Sequence, residues 1–401
     1  MRKSIANSQR HIPALDGIRG IAIFGTLGIH IAYLDAMPKA PPAYLHLFHV
    51  IQLGWMGVDL FLVLSGFLIT GILLDSKTAS NFFRAFYARR TLRIFPIYYG
   101  VLLGLLAVSP WLRHTSFSDL LPDHSAWLPH FLYLQNWFAP RHPAVWLGVL
   151  GPLWTLAIEE QFYLVWPLLV YLLPRRAFIV MCAMICALVP VWRAWVLVHH
   201  PEQTFLLENT FARFDTLTWG AVAALIVRTP DLLQRLRRTL PWCFVVCAAA
   251  MLVIDYPLHE LYSRSRYTQS IGFTLIAVGS AALLLLAYIS DSERGRLAHV
   301  LSWGWLRSLG RYSYGMYVLQ GFILLPASHY LPHFAWFGKS ITIAFPVENA
   351  ILLACWALAW CSFHLYERRF LHFKKFFVPQ RSDRPDIAGI DVSAVSATKT
   401  P

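Results

Sequence analysis

Charge is scarce in this chain. Asp, Glu, Lys and Arg make up 14% of the 401 residues, against 57% hydrophobic, whereas soluble domains carry about 25% charged residues. That shortage excludes a water-soluble globule and calls for an apolar solvent. Cysteine offers little chemistry. Its six copies fall as Cys182/Cys186, Cys243/Cys247 and Cys355/Cys361, all inside apolar runs, with no CxxC and no Cys/His array at metal spacing. A disulfide framework and a zinc centre are excluded, which leaves small packing residues. P-loop, GxSxG and HExxH motifs are missing, as are internal repeats, low-complexity tracts and an inserted polar domain. Nucleotide hydrolysis, serine hydrolysis and zinc proteolysis lose their usual signatures.

What is there instead is apolar length. Ten segments, near 18–36, 54–74, 93–112, 153–173, 177–198, 213–228, 240–254, 270–290, 311–330 and 346–366, approach the ~20 residues that cross a hydrocarbon core. The expected fold class is all-α, a polytopic protein of about ten transmembrane helices. Residues 1–377 form the membrane domain, and 378–401 a polar tail without periodicity for which disorder is the default. The amino terminus does not read as a cleavable signal, because Asp16 and Arg19 interrupt its apolar run. With both termini cytoplasmic, most of the 34 Lys and Arg fall on that side, as the positive-inside rule requires. The net charge of +13 therefore reports membrane topology, and no nucleic-acid partner is needed.

The first helix carries more than an anchor needs. In "LDGIRGIAIFGTLGIH" the eleven steps from Arg19 to His30 turn about 1100°, so both side chains lie on one face, about 16 Å apart along the axis. Asp16 and Thr26 share that stripe, and Gly17, Gly25 and Gly28 lie opposite, where another helix can approach closely. An ionisable group at mid-membrane should face protein or a water-filled cavity. His30 reads either as a satisfied core histidine or as a functional base, and the shared stripe favours function. The second helix carries Asp59 near its outer end, suited to orienting a histidine or to pairing with an arginine. In "FYARRTLRIFP" the spacing of Arg89, Arg90 and Arg93 fits either anionic lipid or the two-point clamping of phosphates. "GPLWTLAIEEQFYLVWP" places Glu159 and Glu160 about 9 Å into the membrane and about 100° apart, so one of them at most lines a given cavity. Gly100 and Gly104 form a GxxxG expected to serve packing.

These stretches, with "GVDLFLVLSGFLITG", "RYSYGMYVLQ" and "YERRF", resemble in order and spacing the integral-membrane acyltransferase family 3, which includes bacterial O-acetylases of lipopolysaccharide and other surface glycans. The likeness runs from Leu15 to Phe370. It implies an Arg-x10-His pair at Arg19 and His30, an RxxR motif at Arg90 and Arg93, and a tryptophan-to-glutamate motif at Trp154 with Glu159 or Glu160. Thr155 and Ala157 stand where the family often has serine, Gln320 where it often has histidine, and Arg369 where proline is common. Some relatives carry a further hydrolase-like extracytoplasmic domain that is not found in these 401 residues.

The function implied is transfer of an acyl group, acetyl foremost, from cytoplasmic acyl-CoA to a hydroxyl of a carbohydrate or glycolipid. Arg19, Arg90 and Arg93 would hold the donor, and His30 would act as base or transient acyl carrier. Asp59, Glu159 or Glu160 would support the imidazole, and Trp154 and Tyr163 would contact substrate. Acetyl-CoA enters as a substrate, with no permanent cofactor and no metal expected. The rival is a transporter or flippase of a small polar solute, which should show paired repeats or broken helices.

Overall fold

The computed structural model describes residues 12–32, 51–115, 117–118, 121–138, 148–200, 205–255, 265–331 and 341–380. Eleven helices of ten residues or more organise them, numbered in chain order: α1 Pro13–Ala32, α2 Met56–Ser76, α3 Phe82–Leu112, α4 Trp154–Leu172, α5 Arg175–His199, α6 Thr210–Val227, α7 Leu240–Asp255, α8 Phe273–Ser292, α9 Gly304–Leu319, α10 Gly321–Tyr330 and α11 Ile341–Ser362. No strand occurs among the described residues.

Each of the ten expected segments falls on helix over its described residues; 33–36 of the first segment lie outside them. Among the described residues seven spans are long and apolar enough to cross a membrane, or eight if the bent pair Pro230–Leu236 and Leu240–Ile254 counts as one. The other two expected spans are the less regular ones. α4 carries Glu159, Glu160 and Gln161 in 19 residues, and the 311–330 segment is divided between α9 and α10 at Gln320. Both of these helical segments supply the site.

Local chemistry sets the boundaries. α4 ends because Leu173, which precedes Pro174, takes an extended backbone, as sterics before proline demand. α6 starts at Asn209, whose side chain accepts from the Ala212 amide at 3.1 Å. Pro96 interrupts the hydrogen-bond ladder inside α3, and hydroxyls from elsewhere serve nearby carbonyls: Tyr314 donates to Ile94 at 2.8 Å and Tyr366 to Pro96 at 3.2 Å.

α1, α2, α6 and α8 form the centre, each 61% buried over its apolar window, while α3, α5 and the final span are 28%, 17% and 11% buried. Glycine permits the closest crossings. A Cβ on Gly310 of α9 would lie 1.8 Å from the Asp16 carbonyl oxygen of α1, and one on Gly66 of α2 would lie 1.9 Å from that of Leu217 in α6. Gly17 of α1 makes a similarly close approach, while a Cβ on Gly25 would lie 3.1 Å from Gly54 and one on Gly28 3.8 Å from Ile51. The expected packing at Gly100 and Gly104 needs correction: Gly104 has nothing within 4 Å, and Gly100 faces only the Tyr366 side chain.

On the periphery, Val180, Met184, Leu188, Val191, Trp195 and Val198 expose an apolar stripe along α5. At helical spacing this is a face meant for hydrocarbon. Residues 378–380 are tied to the turn before α3 through Ser80 and Asn81, and the rest of the expected tail lies outside the described residues.

Candidate active site

Five helices meet around a narrow cavity of about 90 Å³. α1 contributes Arg19 and Thr26, α2 Ser65, α3 Arg90 and Arg93, α4 Thr155, Glu159 and Tyr163, and α9 Ser313, Tyr314 and Tyr317. The stripe read from the first helix faces inward, and the two arginines of the RxxR spacing join it from α3. Five of the nine residues singled out from the sequence thus share one enclosure: Arg19, Arg90, Arg93, Glu159 and Tyr163.

Helix rotation separates the two adjacent acids. Glu159 accepts a 2.6 Å hydrogen bond from the Tyr163 hydroxyl, one turn further along α4, and faces the cavity. The Arg90 guanidinium lies over the Tyr163 ring, 5.5 Å from its centroid, a favourable contact of cation with π face. Glu160 points away. Its buried Oε1 has no hydrogen-bond partner, and it does not line the cavity.

His30 lies one turn beyond Thr26 on α1 and Gln320 three residues beyond Tyr317; neither lines the narrow cavity, and the two side chains meet next to the turns that do. The His30 Nδ1 is 2.8 Å from the Gln320 Oε1. The amide is oriented by its other end, because Gln320 Nε2 donates to the Tyr317 carbonyl at 3.0 Å. An amide oxygen only accepts, so Nδ1 must carry the proton and Nε2 keeps its lone pair. In the neutral ring this geometry specifies one tautomer, with Nε2 unprotonated and without a hydrogen-bond partner among the described residues.

Two expected site residues lie elsewhere. Asp59 does not reach the histidine. It accepts from Arg213 Nη2 at 2.6 Å, and both side chains are wholly buried between α2 and α6. A full guanidinium charge at that depth outcompetes a neutral imidazole for the carboxylate. Trp154 packs into the hydrophobic core beside the cavity and does not line it. Its neighbour Thr155 does, donating to the Tyr317 hydroxyl at 2.6 Å.

Sequence reasoning missed Gln320 as a partner of His30, and Ser65, Thr155 and Tyr317 as lining groups. A glutamine amid "YVLQGFILL" is the one signal available beforehand, since a lone amide in an apolar run needs a partner.

Beyond Arg19, Arg93 and Tyr314 the space widens into a second cavity of about 550 Å³. Those three residues border both spaces, so the two cavities adjoin at the arginines.

An all-α membrane protein that keeps arginines and a carboxylate around such cavities, with a histidine beside them, is built for passage of a solute or for reaction within it. Comparison with known proteins separates the two. The acyltransferase domain family matches residues 12–364, and the chain belongs to that family. Among named proteins it is 27% identical over 343 residues to the peptidoglycan O-acetyltransferase OatA of Listeria monocytogenes, covering 79% of this chain and 50% of the relative. It is 25% identical over 329 residues to the O-acetyltransferase OatA of Staphylococcus aureus, covering 78% of this chain and 50% of that protein. The chain thus spans about half the length of the curated relatives it matches. No solved structure matches it. Nothing in these likenesses supports the transporter reading.

Proposed function

We propose that the protein is a multi-pass O-acetyltransferase of the plasma (inner) membrane. It moves an acetyl group from cytoplasmic acetyl-CoA, or another acyl-CoA, to a hydroxyl of a cell-envelope carbohydrate. The relatives' names point to peptidoglycan as the acceptor class. The observation that carries the reading is the imidazole whose Nδ1 is committed to Gln320, one turn beyond Thr26 in the wall of a cavity that also holds Arg19, Arg90 and Arg93.

The thioester enters from the Arg19 end, which the positive-inside bias assigns to the cytoplasm. Arg19, Arg90 and Arg93 hold its phosphates, for which planar guanidinium forks are suited. The pantetheine arm follows the narrow cavity past Ser65 and Tyr317 and brings the acyl carbon to His30. Nε2 takes the proton of the acceptor hydroxyl as its oxygen attacks that carbon. The carbon–sulfur bond then breaks, the imidazolium returns its proton to the departing thiolate, and an ester and free CoA remain. Gln320 holds the productive tautomer throughout. Glu159, hydrogen-bonded to Tyr163, balances the arginine charge beside the arm.

The purified full-length chain in nanodiscs, given labelled acetyl-CoA and soluble peptidoglycan fragments, should release CoA and place the label in an alkali-labile ester. Release of one equivalent of CoA without acceptor would replace the base by an acyl-histidine. Transfer from a different acyl donor with acetyl-CoA inert would overturn the donor assignment. Labelling of no carbohydrate would overturn the acceptor class.

A further inference from the structure

The wider cavity is more cationic than the reaction centre alone explains. Four arginines line it: Arg19 from α1, Arg93 from α3, and Arg307 and Arg311 from α9. Two carboxylates face them, Asp16 and Glu367. Asp16 lies 3.7 Å from Arg19, and Glu367 accepts from Ser362 at 3.1 Å. Arg307 and Arg311 form no ion pair with another described residue. They stand at i,i+4 on one helix, a spacing at which like charges face each other and repel. Arg311 is braced over the Phe363 ring, 5.9 Å from its centroid. Ser308, between them, accepts from Trp356 Nε1 at 3.0 Å, which leaves its hydroxyl proton available to donate. The cavity also takes in Gly304, the first residue of α9, where Trp303 supplies no side-chain cap. Two paired guanidinium groups, a hydroxyl donor and the positive end of a helix surround a volume of about 550 Å³, inside the roughly 300–1,000 Å³ of small-molecule sites.

We propose that Arg307 and Arg311 form a second phosphate subsite, which holds the ribose phosphomonoester of a CoA thioester. This rests on the donor reading above. The acyl end of such a donor belongs at His30 and its arm in the narrow cavity, so the nucleotide end occupies the wide one. Arg307 and Arg311 line only the wide cavity and so address the nucleotide rather than the arm. A phosphomonoester carries close to two negative charges near neutral pH, which two guanidinium forks match. The division of labour is then Arg19, Arg93 and, just inside the narrow cavity, Arg90 for the diphosphate, and the α9 pair for the terminal phosphate.

The test compares three thioesters on the full chain in zwitterionic nanodiscs: acetyl-CoA, acetyl-dephospho-CoA and acetyl-pantetheine. The unaltered protein should bind acetyl-CoA about tenfold to a hundredfold more tightly than the dephospho form, the range for losing one or two charge-assisted hydrogen bonds. In Arg307→Gln and Arg311→Gln that discrimination should collapse, and Arg311→Lys should recover part of it. General damage to the fold would weaken all three donors alike and leave the ratio intact. A ratio unchanged in both glutamine variants overturns the subsite while the donor reading stands. A protein that binds none of the three thioesters overturns both. Repeating the series in anionic nanodiscs exposes a lipid role: variants that lose only their response to anionic lipid, with the donor ratio kept, also overturn it.

Discussion

Two groups of charged side chains are buried in this bundle, and they are built on opposite plans. Between α2, α5, α6 and α8, each guanidinium has a carboxylate. Arg193 grips Asp215 through both terminal nitrogens, at 2.9 and 3.0 Å, and donates further to the Ala212 and Ser270 carbonyls and to Thr274. Arg213 meets Asp59 and lies 4.0 Å from the centroid of the Phe273 ring. All four charged side chains are fully enclosed. Between α1, α3, α4 and α9 the cations outnumber the acids, and they border open space. Charge that is matched and sealed holds helices together in a solvent that offers no alternative partner. Charge that is unmatched and open awaits a ligand. The sequence displays both groups as polar residues in apolar helices, and only the pairing tells them apart.

The contrast breaks most sharply at His30. His30→Ala should fold and insert, and should still bind donor, because Arg19 lies about 16 Å away along α1 and Arg90 and Arg93 stand on another helix, α3. Acetyl transfer should fall by about 10²–10⁴-fold, the usual loss on removing a general base. Donor binding and turnover measured on the same purified sample decide it. Near-normal turnover would return His30 to the core and shift the chemistry to Glu159.

In the sealed group the damage should be to stability instead. Removing one partner of a buried ion pair typically costs about 3–5 kcal/mol. Asp215→Ala should reach the upper end, because Asp215 also accepts from Thr274 and the Thr216 amide. Asp59→Ala should cost less, since Asp59 Oδ2 and two Arg213 nitrogens already lack hydrogen-bond partners. Thermal unfolding in detergent should show that order, with turnover per folded molecule retained. Asp59→Asn that kept full stability yet lost transfer would move Asp59 into the open group.

Gln320 joins the two plans, being a neutral buried group that serves a reactive one. Gln320→Leu leaves the His30 Nδ1–H without its acceptor, and the imidazole loses its fixed tautomer. A buried donor left unpaired costs about 1–3 kcal/mol, so transfer should drop by about tenfold to a hundredfold with donor affinity unchanged. Gln320→His restores an acceptor and should recover most of the rate. Equal losses in both variants would reduce Gln320 to packing.

The helices and the inward stripe of α1 were legible in the sequence because both follow from local periodicity: apolar runs of membrane length, and a histidine three turns above an arginine. What was not legible was pairing. Asp59 finds Arg213 at a separation of 154 residues and His30 finds Gln320 at 290, and no local rule selects either partner. The choice between Glu159 and Glu160 follows from the rotation of α4, which its packing against neighbouring helices sets. Hydropathy also marked the site helices least clearly. α4 and the broken pair α9 and α10 carry the groups that line or cap the cavity, and polarity and interruption together weaken an apolar signal.

The smallest expected effect tests whether the open group is open for a ligand or only faces lipid. Arg90 lies over the Tyr163 ring beside Glu159, which places it inside the enclosure rather than on the rim. Arg90→Lys preserves the charge and removes the planar fork together with much of the stacking on the ring. An anionic bilayer attracts either cation about equally, so a purely lipid-facing arginine should tolerate the change. A thioester diphosphate held at two points should not. Donor affinity should weaken by about tenfold, the worth of one charge-assisted hydrogen bond, and the maximal rate at saturating donor should stay within about twofold because the charge near Glu159 is kept. Arg93→Lys should behave alike, since Arg93 borders both cavities. Binding isotherms for acetyl-CoA on the two lysine variants separate the cases. Unchanged affinity in both would make these arginines lipid anchors, and unmatched charge in this bundle would then no longer mark a binding site.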